Sequence, residues 1–228
     1  MTMVTLPLEY GKFYHIFNRG INSCNLFSQS VDYEHFLRLY EKYIPLVAET
    51  AAWVLMPNHF HLLIRVKDED EILPFPDITP LPQSGSSTSK REMELEPPSS
   101  DRGMGKRKPI LSHQLGHLFN AYCQHYNARY GRHGSLFERH FHRKLVNSEA
   151  YFIRLVVYIH HNPVHHGFCK HPLEYPWSSY NTMLSDMPTK VMREAILDRF
   201  GGRENFMLQH KQQLDLGDIE SYLGFTNP

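Results

Sequence analysis

At 228 residues the chain can hold one large domain or one domain with appendages, and 41% hydrophobic with 13% aromatic residues is enough for a core. Twenty-four Lys and Arg balance 24 Asp and Glu, so no global basic field announces nucleic acid, and any such binding must use a local patch. The three cysteines, Cys24, Cys123 and Cys169, are far apart and odd in number, which argues against a disulfide framework and a cysteine-based zinc site and fits a reducing cytoplasm.

In chain order, the first residues lack a basic region followed by an apolar stretch, and no apolar run approaches ~18 residues. A protein neither exported through a cleaved signal nor spanning a membrane is expected. Phe13 to Asn18 alternate as a first strand, and Arg19-Gly20-Ile21-Asn22 reads as a turn. A helix follows from Asp32, a plausible N-cap, with Phe36, Leu37, Leu39, Tyr40 and Tyr43 at helical spacing before Pro45. A strand at Ala51 to Leu55 comes next, and the Pro57-Asn58 break returns the chain as a hairpin.

The returning strand carries His59-Phe60-His61 inside an apolar run. Successive strand side chains point to opposite faces, so the two imidazoles project to one side and Phe60 to the other. Burying imidazole without partners costs free energy, and a divalent cation is the usual partner of paired neutral imidazoles. The alternative is that both rings face solvent on a one-sided antiparallel strand.

Between Asp68 and Lys108 an acidic run, a proline-rich stretch, a Ser-rich tract and Lys106-Arg107-Lys108 succeed one another, which reads as a long disordered insertion. Gly103 to Lys106 is not a phosphate loop, because the required spacing and a preceding apolar strand are absent. The pattern then predicts a helix over Ile110 to Tyr130, with Leu111, Leu115, Leu118, Phe119, Tyr122 and Tyr126 as its stripe and Gly131 as its end. A strand near Phe141 to Val146 follows, and Ser148 with Glu149 opens a third helix. The order βαββαβα makes an α+β protein with an antiparallel central sheet resembling the ferredoxin-like sandwich. After Gly167 comes a C-terminal extension with Trp177 and a helix near Val191 to Phe200.

On the third helix Phe152, Leu155, Val156 and Ile159 define the face against the sheet. At about 100° per residue, Tyr158, Asn162 and Tyr151 share a neighbouring flank, from which a phenol and a carboxamide could reach the imidazole pair. Pro163 disfavours continued helix at Asn162, which puts that residue at the last turn. The plainer reading makes Tyr158 a core-edge tyrosine and Asn162 a C-cap. His160 and His161, close to Tyr158, read as solvated surface histidines, with an extra ligand or proton acceptor as the alternative. From Arg129 to Lys144 the cations Arg129, Arg132, Arg139, Arg143 and Lys144 oppose only Glu138 and interleave with Tyr130, Phe137 and Phe141, a composition suited to single-stranded DNA or to a solvated connection with its aromatics in the core. Arg19 is a lesser candidate for phosphate contact.

Four segments in order carry a family resemblance: Met56-Pro57-Asn58-His59-Phe60-His61-Leu62; Gly134-Ser135-Leu136-Phe137 leading to Arg139 and Phe141; Tyr158-Ile159-His160-His161-Asn162-Pro163-Val164 closing at Gly167; and Trp177-Ser178-Ser179-Tyr180. The chain resembles the single-tyrosine HUH transposases of insertion sequences, and most closely the REP-associated tyrosine transposases. The resemblance divides the chain into a transposase domain in two parts, 1–67 and 109–180, interrupted by the insertion at 68–108 and followed by an extension at 181–228. It implies that His59 and His61 ligate a divalent metal, Mg²⁺ or Mn²⁺, that Asn162 stands where a third polar ligand belongs, and that Tyr158 is the nucleophile. It implies as partner single-stranded or hairpin DNA, cut and rejoined through a 5′-phosphotyrosine, and action at the nucleoid of a bacterial cytoplasm. It also tips the reading of the cation-rich segment toward DNA contact. Insertion-sequence relatives often work as homodimers with exchanged tyrosine helices while REP-associated relatives can act alone, and the residues do not choose. Two other readings stand beside it: a domesticated hairpin-binding protein that no longer cleaves, and a metallohydrolase using water, for which no carboxylate is placed as base.

Overall fold

The computed structural model describes residues 7–74 and 108–212. Residues 75–107, most of the expected insertion with its Gly103–Lys106 segment, and 213–228 lie outside the described residues. Strand β1 (Phe13–Arg19), helix α1 (Ser30–Tyr43), strands β2 (Ala48–Met56) and β3 (His59–Val66), helix α2 (Leu111–Tyr130), strand β4 (His142–Val146) and helix α3 (Glu149–His165) follow in the expected order. The sheet runs β2-β3-β1-β4 with every neighbouring pair antiparallel, as in the ferredoxin-like arrangement.

Strand parity sorts the side chains onto two cores. Tyr14 and Ile16 of β1 and Phe60, Leu62 and Ile64 of β3 pack under Phe36 of α1 and Leu115, Leu118 and Tyr122 of α2. Phe17, Leu63, Val54 and Met56 face the opposite way and meet the α3 stripe, Phe152, Leu155, Val156 and Ile159. Each fully buried Phe in these cores contributes about 3–5 kcal/mol against truncation to Ala. The α2 stripe is buried throughout, and Gly131 ends that helix in the left-handed conformation at φ 60°.

Three boundaries differ from expectation, each for a local reason. The N-cap of α1 is Gln29; Asp32 sits at the third helical position, where its carboxylate accepts the Ser28 and Gln29 N–H groups at 2.9 Å each. Strand β2 begins at Ala48, three residues early, because pairing with β3 runs on to Val66. Helix α3 continues through Pro163 to His165, so Asn162 opens its last turn and does not end the helix. Pro163 removes one helical donor. The following turn nevertheless closes, with Phe168 N–H on the Pro163 carbonyl at 2.8 Å and Gly167 at φ 74°.

Beyond α3 come α4 (Tyr180–Leu184), α5 (Arg193–Arg199), where a helix was expected, and α6 (Arg203–Lys211). The extension covers the edge of β2: Leu55 N–H reaches the Trp177 carbonyl and Ser179 N–H the Trp53 carbonyl, both at 2.9 Å, while Met192 N–H reaches Thr50 at 2.8 Å. An exposed strand edge would otherwise offer its hydrogen bonds to another chain. Among the described residues no helix is long and apolar enough to cross a membrane. The three cysteines are free thiols.

Candidate active site

The β2–β3 hairpin delivers His59 and His61 to the α3 side of the sheet, and the loop after β1 fixes its tip. Gly20 N–H binds the Asn58 carbonyl at 2.8 Å, and Leu26 and Phe27 both donate to the Pro57 carbonyl. Only glycine fits at residue 20, because a Cβ there would lie 2.0 Å from the Cys24 carbonyl oxygen.

The sheet register sets Arg19 opposite His59 and Phe17 opposite His61. Asn162 projects from α3 with its Oδ1 2.8 Å from His59 Nε2, while His59 Nδ1 lies 2.8 Å from Asn58 Oδ1. A neutral imidazole carries one N–H, so it donates to one of these two oxygens and turns a lone pair toward the other. Asn162 is fully buried, and its Nδ2 has no hydrogen-bond partner. The Tyr158 ring meets His61 edge-on at 5.5 Å between centroids, and the His59 and His61 rings lie 5.2 Å apart. The four residues singled out from the sequence therefore form one cluster.

The Tyr158 side chain is 2% exposed and packs its ring edge-on against His61, so the phenol is buried. Burial depresses both imidazolium groups. His59 is pushed down to about 4, with the Asn162 contact opposing, and His61 falls well below the ordinary value, helped by His15, His59 and His166. Both rings are thus neutral near neutral pH, the form that ligates metals. Among the described residues no group of three or more His, Cys, Asp or Glu is disposed to hold a metal; the polar side chain beside the His pair is the Asn162 amide.

Three residues absent from the sequence reading adjoin the cluster. His15 is fully buried with Nε2 2.9 Å from His61 Nδ1. His142 lies parallel on Phe17 at 4.9 Å, and His166 stands 5.1 Å from His59. Strand parity could have found His15, which alternates with Phe13, Phe17 and Arg19 on one face of β1. Nothing in the sequence marks His166.

The cation-rich segment does not form one surface. Arg19 lies beside the cluster, its Nε 2.5 Å from Glu138. Arg129 binds Gln29 at 2.7 Å and stands 3.6 Å from Asp32, tying α2 to the start of α1. Arg132 lies over the Tyr126 ring with one amine 3.8 Å from Cys24 Sγ. Arg143 covers Phe141 at 4.6 Å, and as neighbours on a strand Arg143 and Lys144 point to opposite sheet faces, Lys144 beside His15 on the His59 side. Arg139 is exposed.

His160 is fully buried and His161 half-buried, so neither is a freely solvated surface histidine. His210 Nδ1 donates to the Phe206 carbonyl at 2.7 Å, which leaves its Nε2 to accept from His160 Nδ1 at 2.9 Å, and His160 Nε2 in turn accepts from Ser179 Oγ at 2.8 Å. His161 Nε2 donates to the His210 carbonyl at 2.7 Å. These bonds fasten α6 and the Ser179 turn to the outer side of α3, a packing that the pattern of α3 alone could not reveal.

No protein-family model matches the sequence, and no curated protein matches it. Among solved structures, a REP-associated tyrosine transposase bound to a REP hairpin is similar to this chain, with a TM-score of 0.54 and 14% sequence identity over 82% of this chain and 89% of that one. At that identity the likeness establishes a shared fold.

Proposed function

We propose that this protein is a DNA strand transferase that cuts single-stranded or hairpin DNA through Tyr158 and rejoins it. One observation carries the reading: Tyr158 and Asn162, four residues apart on α3, meet His59 and His61 of β3 in a single buried cluster. The fold shared with a transposase bound to a DNA hairpin supports it.

His59, His61 and Asn162 suit a divalent cation, Mg²⁺ or Mn²⁺. With its proton on Nδ1, toward Asn58, His59 turns the Nε2 lone pair toward Asn162 Oδ1 at 2.8 Å. Two acceptors at that distance repel, and a cation held by His59, His61 and Asn162 would relieve that repulsion. Two imidazoles with one amide oxygen favour Mn²⁺ by ligand softness over Mg²⁺. When bound, such a cation polarises a non-bridging phosphate oxygen and offsets the charge that builds on phosphorus and on the leaving oxygen.

The tyrosine oxygen gives up its proton and attacks phosphorus, the bond from phosphorus to the 3′ oxygen breaks, and that oxygen takes up a proton to become a free 3′-hydroxyl, so no proton is gained or lost overall. The product is a 5′-phosphotyrosine. Attack on this link by another 3′-hydroxyl releases the phenol and joins two strands without ATP, because the phosphoester bond is retained throughout. Arg19, beside His59 and paired with Glu138, is positioned to meet a phosphate once that pair opens. Cleavage requires the phenol to leave its packed position, so DNA binding and exposure of Tyr158 are coupled.

That burial also favours a second reading, hairpin binding without cleavage. Incubating the protein with end-labelled single-stranded and hairpin DNA and Mn²⁺ separates the two. A covalent adduct lost in Tyr158→Phe supports the transferase; an equal adduct in Tyr158→Phe rejects it. Binding without an adduct in any divalent metal supports the second reading. Whether the protein works as a monomer or a homodimer is read from the mass of the DNA complex in solution.

A further inference from the structure

We infer that His15 is a positioning residue for the cation site: its Nε2 accepts the Nδ1–H of His61 and thereby leaves the Nε2 lone pair of His61 to ligate. The inference rests on the reading of His61 as a ligand. His15 is fully buried on β1, one strand over from His61, and the two rings lie within 26° of parallel at 5.0 Å. Phe17 packs on both, 4.7 Å from His15 and 5.9 Å from His61.

The 2.9 Å contact between His15 Nε2 and His61 Nδ1 admits two arrangements. If His15 donated, the single proton of neutral His61 would sit on Nε2 and that nitrogen could not bind a metal. If His61 donates, its Nε2 is a lone pair. A carboxylate or a backbone carbonyl commonly accepts this second-nitrogen hydrogen bond in metal sites; here a neutral imidazole takes the role. The arrangement is costly to the fold, because His15 Nδ1 is buried without a hydrogen-bond partner, a penalty that Leu or Phe at this position would not incur.

The test uses the whole protein and Mn²⁺ alone, followed by electron paramagnetic resonance of the free ion. In His15→Phe, which keeps ring packing and removes the acceptor, the Mn²⁺ dissociation constant is expected to rise about 10–100-fold. In His15→Gln, whose amide oxygen falls near the position of Nε2, it is expected to stay close to wild type. Long-range ¹H–¹⁵N spectra of the metal-free wild type are expected to place the His61 proton on Nδ1. Unchanged affinity in folded His15→Phe, or a His61 proton on Nε2, would overturn the inference and leave the ligand reading standing. A wild type that binds no Mn²⁺ overturns the ligand reading itself. The spectra need no variant, so a His15→Phe protein that fails to fold does not shelter the inference.

Discussion

The relay Ser179–His160–His210 makes the attachment of the C-terminal helices acid-labile, and His210 isolates the effect. Its ring is 1% exposed, and both nitrogens are engaged as one donor and one acceptor. A second proton would have to go on Nε2, where it would face the N–H of His160. Burial is the main reason that His210 is pushed from the ordinary 6.5 down to about 3, with His161 and His171 adding to it and the Phe206 hydrogen bond opposing. A depressed histidine binds fewer protons in the folded than in the unfolded chain, so its stability is present above 6.5 and is lost as pH falls from there toward about 3. At about pH 5 the loss from this one residue is about 2 kcal/mol, a large part of the 5–15 kcal/mol typical of a folded protein. Urea unfolding of wild type and His210→Phe at about pH 7.5 and about pH 5 measures it. The variant should be less stable at the higher pH, by about 1–3 kcal/mol, because His160 Nδ1–H loses its acceptor. Its further loss on acidification should be smaller than that of the wild type by about 2 kcal/mol. Equal losses in the two proteins would refute the neutral relay.

Other expectations follow from single contacts. Gly20→Ala should destabilise by about 1–3 kcal/mol, measured by thermal melting, because the added Cβ would lie 2.0 Å from the Cys24 carbonyl and must push the loop holding the β2–β3 turn. Phe36→Ala should cost about 3–5 kcal/mol while leaving metal affinity unchanged, since it lies on the sheet face opposite His59. Arg19→Ala should weaken hairpin binding and lower the slope of log affinity against log salt by about 1. Arg129→Ala should instead act on stability, since its guanidinium holds Gln29 and Asp32.

Elements written in local periodicity were legible. The α3 stripe, the α2 stripe and the strand-facing of His59 and His61 follow from periods of 3.6 and 2, and they brought the cluster together on paper. What tertiary packing decides was not legible. Asn162 was legible as a last-turn residue, whereas the run of α3 through Pro163 to His165 depends on the turn that closes at Gly167. His160 looked solvated because its partner lies fifty residues away on α6. The cation-rich segment looked like one patch because charges adjacent in sequence were read together, although strand parity already separates Arg143 from Lys144.

The central claim is that the Tyr158 phenol, next to His61, is the atom that takes the DNA phosphate. Incubation with hairpin DNA and Mn²⁺, followed by proteolysis and mass spectrometry, assigns the modified residue. A 5′-phosphorylated nucleotide is expected on Tyr158, lost in Tyr158→Phe and strongly reduced in His61→Ala. Cleaved DNA with the nucleotide on a different side chain, or cleavage undiminished in Tyr158→Phe, would contradict it.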